Sequence, residues 1–268
     1  MASPQVIDYT HAEPPAAGAV LEVADGIYWL RMPLDLTGLD HINLWLLADG
    51  DGWTVVDTGM KSARIQELWQ QVFADGMAGR PISRLICTHF HPDHMGLAGW
   101  LQAQSGAPLW TTRREWLFGR MLYLDAQDTA PEWYIEHFRR VGLSEAACAE
   151  LRRHGYNNFR KMVSAVPEQY RRLEDGDSVQ IGGRDWRVIT GFGHSPEHAC
   201  LYCDELGVLI SGDQVLPRIT RISASIPRNR TPTRCRSTST ASTTSPASPM
   251  TRWSCRHTAC PSAACSGV

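Results

Sequence analysis

The chain has 268 residues, 43% of them hydrophobic, and a formal net charge of −2, which suits one large domain or two small ones. No run approaches the roughly 18–20 apolar residues of a membrane span, and Met1 to Val20 lacks a leader-like apolar core, so a soluble, cytoplasmic protein without a membrane partner is expected. The first 220 residues carry 19 Lys and Arg against 28 Asp and Glu, an acidic body that argues against nucleic acid as partner. In chain order, Gly26–Arg31, Ile42–Leu47 and Trp53–Val56 read as strands, with turns at Asp49-Gly50-Asp51-Gly52 and Asp57-Thr58-Gly59. Ser62 reads as the cap of a helix whose buried face holds Ile65, Leu68, Trp69 and Phe73. Ile82–Cys87 is a short buried strand, His94–Gln104 a helix and Pro108–Thr111 a strand. Arg113 to about Arg172 is apolar at three- and four-residue steps, which predicts a helical insertion. Strands return at Ser178–Ile181, Trp186–Thr190, Ala199–Tyr202 and Val208–Ser211, with a hairpin turn at Gly182-Gly183. Two mixed sheets with helices outside are expected.

The chemistry concentrates in Thr88-His89-Phe90-His91-Pro92-Asp93-His94, placed between a strand and a helix. Three imidazoles and a carboxylate so close are costly to bury unless a cation unites them, and zinc takes neutral histidine nitrogens at about 2.0–2.1 Å. A second cluster, Gly191-Phe192-Gly193-His194-Ser195-Pro196-Glu197-His198, also follows a strand, as do Ser211-Gly212-Asp213 and Asp57. His198 is not expected to be a ligand, and His11, His41, His137 and His154 have no such company. Cys200 and Cys203 form a C-x-x-C inside a strand-like stretch and read as packed thiols.

The order Asp57, then His89, His91, Asp93 and His94, then His194, then Asp213 resembles the metallo-β-lactamase superfamily, and within it the glyoxalase-II-like hydrolases, over roughly residues 20–216. The resemblance implies an α+β fold, a four-layer αβ/βα sandwich with the metals at one edge. It implies that His89, His91 and His194 hold one ion, that Asp93 and His94 serve a second, and that Asp213 bridges both. Asp57 would orient the metal loop from behind the ligands. The implied cofactor is Zn2+, two ions in an intact homologue, with iron or manganese as substitutes. The implied chemistry is attack of a metal-acidified water on an acyl carbonyl, with Asp93 orienting the water or carrying its proton. The expected partner is a small-molecule acyl substrate such as a thioester or ester. A mononuclear iron dioxygenase of the same fold is the alternative. Trp116, Tyr123, Trp133, Tyr134 and Tyr156 either cover the site as a lid or pack the insertion, and packing is the favoured reading.

Residues 221–268 differ in kind from the body. They hold 18 Ser or Thr, four Cys and seven Arg, but no Leu, Phe, Tyr, Asp, Glu or Lys. A domain over 1–220 followed by an out-of-frame or disordered tail is the reading. Shifted by one base, the codons for Met250 and Thr251 give Asp, those for Trp253 and a TCN-coded Ser254 give Val, and those for His257 and Thr258 give Tyr or His, with Gly allowed next. The shifted frame thus permits an apolar strand ending in His-Gly, the final ligand element that the resemblance requires. If the chain stands as written, His257 is the only downstream histidine, and weak second-metal binding, poor stability and little activity are expected.

Overall fold

The computed structural model describes residues 10–215 apart from Ala12 and Thr37, so the tail, its reading frame and His257 lie outside the described residues. Alternating apolar residues build an antiparallel meander of β1 (Val20–Ala24), β2 (Ile27–Leu36), β3 (Leu39–Asp49) and β4 (Gly52–Val56). Strands β5 (Ile82–Ile86), β6 (Leu109–Thr112) and β7 (Arg171–Leu173) extend it in parallel to a seven-stranded sheet in chain order. A second, antiparallel sheet of four strands runs β11-β10-β9-β8, from β8 (Ser178–Ile181), β9 (Arg184–Gly191), β10 (His198–Cys203) and β11 (Val208–Ile210).

The period of two in these strands divides the core. Leu44 and Leu46 of β3, Val55 of β4 and Leu85 of β5 face the helices. Leu47, Val56 and Ile86, one residue away in each strand, face the smaller sheet and meet Trp186, Val188 and Leu201. Helix α1 (Ala63–Gln71) buries Ile65 and Trp69, and the Ser62 hydroxyl caps it by accepting from Ile65 N at 3.2 Å. The other face of the smaller sheet exposes Ser178, Gln180, Asp185 and Arg187. Three layers of the expected sandwich are therefore in place, and the helical layer over the smaller sheet is an expectation outside the described residues.

Three features differ from the sequence reading. The helix expected over His94–Gln104 is two helices, α2 (Pro92–Met95) and α3 (Ala98–Ser105). Between them the Leu97 amide is taken by Gly59 O and Thr58 Oγ1, both at 3.0 Å, and a Cβ on Gly96 would lie 2.1 Å from Pro92 O. The insertion is helical over α4 (Arg113–Leu124), α5 (Glu132–Arg140), α6 (Glu145–His154) and α7 (Phe159–Met162), and not to Arg172. After Met162 the chain is irregular to Tyr170, and Arg171–Leu173 then join β6 as β7, because Trp110 to Thr112 offer a free strand edge. The insertion's aromatics pack among themselves: Trp116 stacks on Tyr170 at 4.5 Å, and Trp133, Tyr134 and Tyr156 meet edge to face. Cys200 and Cys203 are buried and three residues apart in β10, so they point to opposite faces. No helix among the described residues is long and apolar enough to cross a membrane.

Candidate metal centre

Four strand ends converge at one edge of the two sheets. Asp57 follows β4, the turn Thr88–His91 follows β5, His194 follows β9 and Asp213 follows β11. His89 and His94 are buried and form the floor with Asp57, Thr88 and His198, while His91, Asp93, His194 and Asp213 are partly exposed and form the rim.

Three imidazole nitrogens form a triangle. His89 Nε2 lies 2.9 Å from His91 Nδ1 and 3.1 Å from His194 Nε2, and the last two are 3.0 Å apart. A tetrahedral ion with bonds of about 2.0–2.1 Å separates its ligand atoms by roughly 3.3 Å, so this triangle is the right size for one face of such a site. A second group, His89, His94 and Asp213, places its ligand atoms within 4.8 Å of one another. Asp213 stands between the two groups, with Oδ2 3.4 Å from His194 Nε2 and Oδ1 3.5 Å from His94 Nε2. Asp93 Oδ2 is 3.6 Å from the same His94 nitrogen.

The floor sets the tautomers. Asp57, held at a φ of 62° just beyond β4, accepts from Thr88 N and meets His94 Nδ1, each at 2.8 Å. Thr88 Oγ1 also reaches Asp57, at 2.9 Å, and lies 3.0 Å from His89 Nδ1. A hydroxyl that donates to the carboxylate accepts from His89 Nδ1–H, and His94 Nδ1–H donates to the carboxylate directly. Both Nε2 atoms then carry lone pairs into the site. Among the described residues the buried His94 Nε2 has no hydrogen-bond partner, the state of a nitrogen that waits for a cation.

Ionisation agrees with this. Burial, reinforced by the neighbouring imidazoles, holds His89 well below the ordinary histidine value and brings His91 down to about 3. Burial lowers His194 as well. Three of the four candidate histidine ligands are therefore neutral near pH 7, as metal ligation requires. His94 differs: burial works against its proton, but Asp57, Asp213 and Asp93 outweigh it and raise the pKa, so proton and metal compete there. Asp213, although burial opposes its charge, is held well below the carboxylate range by His94 and His194.

Two residues in the site escaped the sequence reading. His198, not expected to be a ligand, falls in neither donor group. Its ring lies over His89 with centroids 4.7 Å apart, and its Nε2 accepts the Asp213 amide at 3.2 Å. A Cβ on Gly212 would come within 2.7 Å of that ring, so glycine there lets the Asp213 turn seat against it. Glu115 of α4 is wholly buried behind both histidine turns. The signal for His198 was its alternation with buried Cys200 in β10, while Glu115 sits in Arg113-Arg114-Glu115-Trp116, which reads as a solvated helix start.

Comparison with known proteins agrees with this geometry. A solved β-lactamase domain protein from Burkholderia ambifaria is 47% identical, with a TM-score of 0.71, over 80% of this chain and 61% of its own. A metallo-β-lactamase family protein from Thermus thermophilus shares the fold, with a TM-score of 0.61 and 24% identity over 77% of this chain and 65% of its own. The bovine acyl-coenzyme A thioesterase MBLAC2 is 26% identical over 200 residues, 72% of this chain and 64% of the relative. The chain thus spans about 64% of the length of that curated relative. Since the metallo-beta-lactamase superfamily model matches residues 37–245, over the same strand ends that gather the histidines, the chain belongs to that superfamily.

Proposed function

We propose that the protein is a metal-dependent hydrolase of small acyl substrates, thioesters first among them, with zinc as its metal and the cytoplasm as its place. One observation carries the reading: a ligand-sized triangle of His89, His91 and His194 stands beside His94 Nε2 and Asp213. A divalent cation bound there would polarise an acyl carbonyl and acidify a water. The chain's own residues supply the rest. His89, His91 and His194 would hold the first ion, and His94, Asp93 and Asp213 would serve the second, with Asp213 in reach of both. Asp93 lies in the first turn of α2 on the rim, where it can take a proton from an attacking water and pass it to the leaving group. Asp57 and Thr88 keep His89 and His94 as lone-pair donors. The likeness to MBLAC2 supports a thioester, and the acidic body supports a small-molecule partner over nucleic acid.

The test is thiol release from a panel of acyl-coenzyme A thioesters by the full chain, after chelation and again after addition of Zn2+. Activity lost on chelation and restored by zinc is expected. Equal hydrolysis with and without metal, or iron-dependent oxygen uptake in its place, would overturn the reading.

A further inference from the structure

The histidines that form the triangle come from turns more than a hundred residues apart, and one buried carboxylate touches both turns. Glu115 Oε2 accepts the amide of Phe90, between His89 and His91, at 3.0 Å. Glu115 Oε1 accepts Ser195 Oγ at 2.8 Å and the Glu197 amide at 2.5 Å, directly after His194. Nearby, Thr112 Oγ1 donates to Glu197 O at 2.7 Å and the Arg114 amide donates to Glu197 Oε2 at 2.9 Å. The β6–α4 junction thus grips the His194 turn from behind while Glu115 reaches through to the His91 turn.

The chemistry of this contact is specific. All three partners are donors, and they are spread over both carboxylate oxygens. Among the described residues Glu115 forms no ion pair, so these donors are all that works against the cost of burying its charge. An amide of the same shape cannot replace it, because either orientation sets an NH2 against a backbone N–H. We infer that Glu115 is a positioning residue: its carboxylate fixes the distance between the His89–His91 turn and the His194 turn, and so couples the helical insertion to the metal centre. The inference rests on the reading of these histidines as metal ligands.

The test is Co2+ titration of the full chain, followed by the visible d–d bands, for the native protein, Glu115→Gln and Ser195→Ala, with circular dichroism to establish folding. Folded Glu115→Gln should bind Co2+ roughly 10- to 100-fold more weakly and show shifted bands, since partners behind a ligand are worth about that much. Ser195→Ala, which removes one of the three donors, should weaken binding several-fold and decides the matter if Glu115→Gln does not fold. Unchanged affinity and spectrum in the folded variants would overturn the inference while leaving the metal reading intact. A native chain that takes up no Co2+ would overturn both.

Discussion

Replacing Asp57 by Asn tests whether the floor of the site dictates its chemistry. The change keeps the shape and suits the positive φ of 62°, which Asn tolerates. An amide oxygen can still accept from Thr88 N, now at 2.8 Å from the carboxylate. Its NH2 must then face His94 Nδ1, also 2.8 Å away at present. Two donors cannot share that contact, so His94 moves its proton to Nε2. There it meets the carboxylates of Asp213 and Asp93, 3.5 and 3.6 Å away, as a donor and ceases to be a ligand. Loss of a hydrogen bond to a charged group costs about 1.5–3 kcal/mol. A roughly 10- to 100-fold loss of metal affinity, typical for partners behind a ligand, corresponds to about 1.4–2.8 kcal/mol, so the two scales agree. Calorimetric metal titration should lose its second, weaker phase and keep the first within a few-fold. Imidazole 15N spectra of the metal-loaded proteins should show His94 protonated at Nε2 only in the variant. A variant that keeps the second phase and the native tautomer would refute the reasoning.

Other predictions follow from the same structure. Trp186→Ala opens the core between the sheets, where the side chain is 1% exposed. It should cost about 3–5 kcal/mol, read from the urea midpoint, and a loss below about 1 kcal/mol would contradict the packing. Gly96→Ala forces a Cβ to within 2.1 Å of Pro92 O and 2.6 Å of Gly59 O, so it should lower Tm and metal affinity together. Burial lifts Glu115 from 4.5 to about 7, so the folded protein binds this proton more tightly than the unfolded chain does. Its contribution to stability therefore falls as pH rises from the ordinary value to about 7, by about 3 kcal/mol in all. Metal-free Glu115→Gln should lack that slope when its pH–stability curve is set against the native one, and parallel curves would contradict the burial argument.

Much of the site was legible because metal chemistry uses few residue types. His89, His91, Asp93 and His94 stand within six positions, and a strand before them with a helix after them leaves few ways to arrange them. Asp57, His194 and Asp213 were legible as ligand-type residues just beyond strands. What was not legible depended on pairings distant in sequence. His198 acquires its role only when β10 packs beside the turn after β11, and Glu115 only when α4 folds beneath two turns 25 and 80 residues away. In the fold, β7 has three residues and no strand pattern of its own, so its pairing with β6 decides it. The break at Gly96 similarly reflects backbone contacts with Gly59 rather than local propensity.

The most direct measurement is the metal content of the purified full chain, by mass spectrometry of the elements, for the native protein and His194→Ala. The account predicts at least one equivalent of tightly held zinc per native chain, lost on removal of this single corner of the triangle. A native chain that hydrolyses acyl thioesters without bound metal, or a His194→Ala variant that keeps its zinc at native affinity, would contradict it.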